Sequence, residues 1–198
     1  HVRDIAPLKE LDYLESVELR NNQVTDISAL AGKKYLCKAG FLANPLEGIE
    51  ALGTCKNLRH LDLNQTGDYD GSALAELHKL DELNLREGPD ATAYLKGAEI
   101  GYLSVGRAGM TDVDFLRDVT FVEGLSIQQS EISDISALAG RADINRINMA
   151  KCEVTDFTPL FSMPSLTWVE MSADRKEYVD AAAASLGEPH FEIVYVED

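Results

Sequence analysis

The eight residues TDISALAG at positions 25–32 return as SDISALAG at 133–140, 108 positions later. That distance resolves into four steps of 22 and one of 20. Segments taken at those steps begin at Leu14, Leu36, Leu58, Leu80, Ile100, Val122, Ile144 and Leu166, giving eight units. Three residues into each unit stand Val17, Ala39, Leu61, Leu83, Leu103, Leu125, Ile147 and Val169. Two further on stand Leu19, Phe41, Leu63, Leu85, Val105, Ile127, Met149 and Met171. All 24 positions of these columns are apolar in a chain that is 45% apolar, an outcome expected by chance roughly five times in a billion before the choice of register is allowed for. A chain with such a period is one supersecondary unit stacked on itself.

Within each unit the alternation of the second and third columns predicts a short strand, and stacked units predict a parallel sheet. A second apolar set follows at spacings of three, Val24, Ile27 and Leu30 in the first unit and Ile132, Ile135 and Leu138 in the sixth. These suit a 3₁₀ or helical turn packing back on the strand. Asp26 and Asp134 are placed to cap that turn, and Gly32 and Gly140 to reverse the chain. Eight residues after the first column stand Asn22, Asn44, Thr66, Gly88, Ala108, Ser130, Cys152 and Asp174. An asparagine there would bond main-chain groups of neighbouring coils. Only two remain, so the ladder is degenerate, and Cys152 reads as a buried substitute for asparagine.

The pattern LxxLxLxxN is that of a leucine-rich repeat. The DIAPL, DISAL, DISAL and DFTPL segments at 4–8, 26–30, 134–138 and 156–160 closely resemble bacterial repeat domains of the internalin type. The resemblance covers residues 2–174. It implies an α/β fold: a right-handed leucine-rich repeat solenoid with a parallel concave β-sheet, short 3₁₀, helical or irregular convex arms, and a binding role on the concave sheet toward other macromolecules.

Units three and four depart from the pattern. Asp68 and Gly71 stand where the first unit has Val24 and Ile27, and Pro89 and Asp90 enter the arm of the shortened fourth unit. Such residues favour open turns, so the convex side is expected to be least tightly packed there. The DYDGS stretch lacks the ligand spacing of a calcium loop and reads as an acidic turn. Residues 174–198 are expected to cap the array. Asp174 with Glu177 resembles a capping box, Val179, Ala182, Ala183 and Leu186 form one apolar stripe, and 191–196 reads as a last strand. The whole, 1–198, is read as one repeat domain. Val2, Ile5 and Leu8 align with Val24, Ile27 and Leu30, so the chain starts mid-repeat and is expected to be a fragment of a longer one. Localisation is therefore left open between cell surface, secreted and cytoplasmic.

The formal net charge of −16 disfavours nucleic acid as a partner. No apolar run reaches the ~18–20 residues of a membrane span, so direct membrane insertion is not expected. Cys37, Cys55 and Cys152 fit neither a disulfide framework nor a CxxC metal pair. No Ser–His–Asp set, phosphate loop or HExxH is present, and no enzymatic role, cofactor or metal is expected.

Function is therefore sought on the concave face, the residues flanking the strand columns. That face carries five acids (Glu18, Asp62, Glu82, Glu87, Glu170) and six bases (Arg20, Lys38, Arg86, Arg107, Arg146, Lys151). It is near neutral on a strongly acidic molecule. Its C-terminal half has three bases and one acid, and adds Tyr102 and the single tryptophan, Trp168. Tyrosine, tryptophan and arginine are the residues most enriched in binding hot spots. The partner-binding candidates are thus Tyr102, Arg107, Arg146, Lys151 and Trp168, beside the small residues Gly106, Gly124 and Ala150. Eight strands ~4.8 Å apart, each exposing about 16 Å, offer ~540 Å², enough for a small domain, a helix or an extended peptide. The expected partner is a protein, with a structural spacer or a carbohydrate-binding module as the alternatives. The uncovered strand of the first unit adds an edge on which the fragment is expected to dimerise or fray.

Overall fold

In a computed structural model the described residues are 1–107 and 109–197. They fall into two compact units, His1–Gly101 and Tyr102–Asp198. In the first, β1 (Ser16–Glu18), β2 (Lys38–Gly40), β3 (His60–Asp62) and β4 (Lys79–Asn84) pair in parallel, each with the next. Their registers step by 22, Val17 facing Ala39, Ala39 facing Leu61 and Leu61 facing Leu83. The chain runs on through β5 (Glu99–Ser104). In the second unit β6 (Phe121–Ser126), β7 (Arg146–Asn148), β8 (Trp168–Ser172) and β9 (Glu192–Val196) pair the same way. The period that fixes the apolar columns thus fixes the hydrogen-bond register, because neighbours one period apart must bury the same positions.

The columns are the core. From Leu36 onward every member of the three columns is buried; in the first coil Leu14 and Leu19 are half-buried. All but one of the convex arms start from one recurring device, which the arm with Gly48 in that place lacks. The side chains of Asp4, Asp26, Asp70, Asp90, Asp112, Asp134 and Asp156 each accept a hydrogen bond from the N–H two residues on, at 2.7–3.2 Å. These bonds fix the bend from which the 3₁₀ or short α turns start.

Units three and four are not loosely packed. Asp70 and Asp90 fall in the aspartate column and form the same turn as their neighbours. Tyr69, not Asp68, turns inward and is buried. Burial of its ring pushes the Tyr69 hydroxyl up to about 12. A Cβ on Gly71 would lie 2.6 Å from the Ala91 Cβ, so adjacent arms touch through backbone there. The bulk lost at Val24 and Ile27 equivalents is restored by one aromatic ring and a closer approach.

The asparagine ladder works where it survives. Asn44 is 2% exposed; its amide donates to the carbonyls of Leu19 (2.6 Å) and Phe41 (2.9 Å), and its oxygen accepts from the Val24 N–H (3.1 Å). Thr66 and Ser130 keep the bond to the carbonyl three residues back, at 2.6 and 2.7 Å, and the Ser130 hydroxyl also meets the Cys152 thiol at 3.5 Å. Cys152 lies in the same column, buried, its thiol donating to the Ile127 carbonyl at 3.1 Å. Burial pushes that thiol up, as it does Cys55. Ala108 of this column lies outside the described residues.

The C-terminal helix, Lys176–Leu186, buries Val179 and Ala182, but Leu186 is 54% exposed, so the apolar stripe ends a turn early. No capping box forms. Residues Ala173–Arg175 make a 3₁₀ turn that runs into the helix, leaving Asp174 paired with Arg175 at 3.3 Å and no side chain at the cap. Gly187, at φ 93°, ends the helix, and β9 adds the last parallel strand.

Candidate functional site

Strand alternation turns the residues between the buried columns onto the open face of the sheet. In the second unit the first such row is Gly124, Arg146, Trp168 and Glu192, each facing the next, and the second is Ser126, Asn148, Glu170 and Val194. The Val105 N–H donates to the Ser126 carbonyl at 2.9 Å, which sets Ser104 beside Ser126 and Tyr102 beside Gly124.

These registers bring some of the five candidates together and leave others apart. Arg146 and Trp168 touch: the guanidinium carbon lies 5.8 Å from the ring centroid, a cation–π contact. Trp168 is half-buried in this row and faces Glu192 of β9. Tyr102, 42% exposed, is two strands from Arg146, or ~10 Å, with Gly124 between them. Arg107 and Lys151 stand on the other side of the face, five residues further along their strands. Lys151 is exposed, with a left-handed backbone at φ 59°. The same conformation recurs at Asn21, Ala43, Gln65, Glu87 and Gln129, at φ 52–58°. It is the bend by which the chain leaves β1 to β4, β6 and β7, and no glycine marks it in the sequence.

Between the two sides runs a floor that alternation alone would have left exposed. Gly106, Gly124, Ala150, Ser104, Ser126 and Ser172 are all buried. Short side chains between tall neighbours are shielded even on an open face. At the end of the floor the Ser172 hydroxyl accepts from the Lys151 N–H at 2.8 Å, and Asn148 donates to Glu170 at 2.7 Å.

Charge is arranged differently on the two units. On the first, Glu18 is bridged by Lys38 at 2.8 Å and Arg20 at 3.4 Å, and Arg20 reaches Asp62 at 3.9 Å. The Lys38 hydrogen bond is the main reason that the Glu18 carboxyl sits below the usual range. On the second, neither Arg146 nor Lys151 has an ion-pair partner among the described residues. Among the described residues no three His, Cys, Asp or Glu side chains are gathered as metal ligands, and no helix is long and apolar enough to cross a membrane.

No protein-family model matches the sequence, and no curated protein matches it significantly. Among solved structures, the chain is similar to internalin C2 of Listeria monocytogenes, with a TM-score of 0.73 and 25% identity over 86% of this chain and 76% of that one. It is also similar to an internalin, InlF, of the same species, with a TM-score of 0.68 and 26% identity over 98% of this chain. It spans 64% of the length of InlF. The chain is an internalin-like leucine-rich repeat protein with the solenoid fold that its 22-residue period implies.

Proposed function

We propose that the chain is a non-enzymatic protein-interaction module, and that its second unit takes a protein partner on the concave face of its sheet through Tyr102, Arg107, Arg146, Lys151 and Trp168. Likeness to internalins supports an interaction module in general terms. The observation that carries the finer reading is the pair of cations without acidic partners. Acids outnumber bases 34 to 18 in this chain, yet on this face of the second unit a lysine and an arginine have no acidic partner among the described residues. The first unit, by contrast, satisfies Lys38 and Arg20 internally. An aromatic ring already stacked beneath a guanidinium supplies an ordered, amphipathic anchor of the kind that dominates interface energetics.

A photo-cross-linking residue at Tyr102, compared with one at Ser16, identifies the partner and its side of the molecule. With that partner in a calorimeter, Trp168→Ala and Arg146→Ala each weaken binding by ~1–3 kcal/mol, while Ser16→Ala, Glu18→Ala and Asp62→Ala change it little. The reverse pattern, in folded variants, overturns the assignment. Association also slows as salt rises if the two free cations steer it.

A further inference from the structure

Tyr13 and Tyr35 are one period of 22 apart and stand in one column, at the corner where an arm turns into the strand. Their rings stack, with centroids 5.2 Å apart and planes tilted by 31°. Later coils carry Asn57, Lys79, Glu99, Phe121, Asp143 and Ser165 in that column, so it holds adjacent aromatics only here. The pair is not core: Tyr13 is 78% exposed and Tyr35 50%. Two stacked rings left in water present a wide, flat apolar face.

The rings line a cleft of about 460 Å³ together with Lys9, Asp12, Lys33 and Lys34. That volume lies in the range of small-molecule sites. Lys33 is 6% exposed, and its ammonium gives two N–H groups to the Lys9 and Leu11 carbonyls. Its third N–H has no partner, and its charge no acid, among the described residues. On its other side Asp4 and Asp26 line a second cleft with it, but neither pairs with it and both accept main-chain N–H groups. Lys9 and Lys34 are exposed and likewise have no acidic partner among the described residues. A buried charge is costly unless an opposite charge meets it. Three lysines without a counter-charge around one cleft, in a chain with 34 acids and 18 bases, make a place for an anion.

We infer that this cleft binds an acidic sugar, a hexuronate unit. Its carboxylate accepts hydrogen bonds from the lysine ammonium groups, its C–H face lies on the tyrosine pair, and its hydroxyls donate to Asp12. Each lining group then has a task. An aspartate or glutamate side chain is too small to cover two rings and offers Asp12 no donor, and a neutral sugar leaves the Lys33 charge unmet. The site belongs to the first unit and does not depend on the concave-face reading of the second.

The test is a ¹H–¹⁵N NMR titration of the 198-residue chain at low ionic strength with glucuronate, glucose, acetate and acetyl-Ala-Asp-Ala-amide. Glucuronate shifts the amides of Gly32, Lys34 and Tyr35 with a millimolar Kd, and the other three bind roughly tenfold more weakly or less. Lys34→Ala and Tyr13→Ala each weaken glucuronate severalfold without lowering the urea midpoint, since both side chains are exposed. Asp12→Ala weakens glucuronate but tightens acetate, because it removes an acceptor from the sugar and a like charge from the simple anion. Glucose that matches glucuronate overturns the anion site. Acetate or the aspartate peptide binding as tightly as glucuronate overturns the sugar. Absence of shifts at 32–35, or shifts indifferent to Lys34→Ala and Tyr13→Ala, overturns the cleft as a site.

Discussion

The Arg141 guanidinium closes on the Asp143 carboxylate at 2.5 Å while its other nitrogen donates to the main-chain carbonyls of Leu116 and Val119 in the preceding coil. Asp143 in turn accepts the Val122 N–H at 2.7 Å. The two side chains are 14% and 17% exposed, and together they tie the start of β6 to the coil that follows it. Removing Arg141 leaves a largely buried carboxylate and costs the Leu116 and Val119 carbonyls a donor, and removing Asp143 leaves a largely buried guanidinium and an unpaired Val122 N–H. Arg141→Ala and Asp143→Ala are each expected to destabilise the second unit by ~2–4 kcal/mol, read as a lower urea midpoint at an unchanged slope. The double variant should cost less than the sum of the two, because neither charge is then stranded.

The same carboxylates set the acid limit of the fold. Burial pushes the Asp143 carboxyl up, but the Arg141 and Val122 hydrogen bonds outweigh it and leave the group below its usual range. Asp26, Asp70 and Asp134 are lowered mainly by the N–H groups of Ser28, Ser72 and Ser136. A carboxyl depressed in the folded state contributes stability that is present above its unfolded value and lost as pH falls through its folded one. Loss should therefore begin near pH ~4, the unfolded aspartate value, and deepen below it. Between pH 7 and 5 relief of the −16 self-repulsion opposes any decline. Urea midpoints measured against pH should be level or rising down to about pH 5 and fall below ~4. Asp143→Asn should flatten the acid limb.

Two members of the asparagine ladder predict opposite tolerances. Asn44 serves four main-chain groups in two coils, so Asn44→Ala strands a buried N–H and carbonyls and should cost ~2–4 kcal/mol. Cys152 makes only weak sulfur bonds, to a carbonyl that Ser130 also serves and to the Ser130 hydroxyl itself. Cys152→Ser should cost less than ~1.5 kcal/mol and leave the chain's hydrogen-exchange pattern unchanged. Equal losses at the two positions would contradict this division of labour.

Much of this was legible because burial acts on position and period alone. The 24 column residues needed only to be apolar, and the hydrogen-bond register follows from them. Capping by Asp26 and Asp134 was legible from the repeated motif, but the same turn at Asp70 and Asp90 was hidden by Gly71 and Pro89, which look like loop residues out of context. Packing of Tyr69 was illegible because a one-residue shift inward depends on the space that its neighbours leave. Tyr102, Arg146 and Trp168 follow from alternation, yet three things that shape their surroundings do not. They are the stacking of Arg146 on Trp168, the shielding of Ser126, and the internal pairing of Lys38 and Arg20. Each depends on side-chain direction across strands, which a linear pattern does not encode.

The first coil offers the last prediction. Lys33 is buried, and its ammonium donates to the carbonyls of Lys9 and Leu11 at 2.8 and 2.9 Å. With the Val2 bonds to Asn22 and Gln23, it fastens the half-coil ahead of β1. Hydrogen bonds from a charged donor contribute more than neutral ones, ~1.5–3 kcal/mol each, so their loss should raise local opening by tenfold or more. Lys33→Met keeps the apolar stem and removes the donor. Hydrogen exchange in Lys33→Met should quicken at Leu8 and Leu11, whose N–H groups bond within the half-coil, and stay unchanged at Ile127 and Met149. Opening also bares the half-coil beside β1, an edge strand that invites pairing with a second chain. Sedimentation of Lys33→Met should then show more dimer than the parent at equal concentration. Exchange that quickens equally at Ile127 would mean that Lys33 supports the whole array rather than clamping its first half-coil.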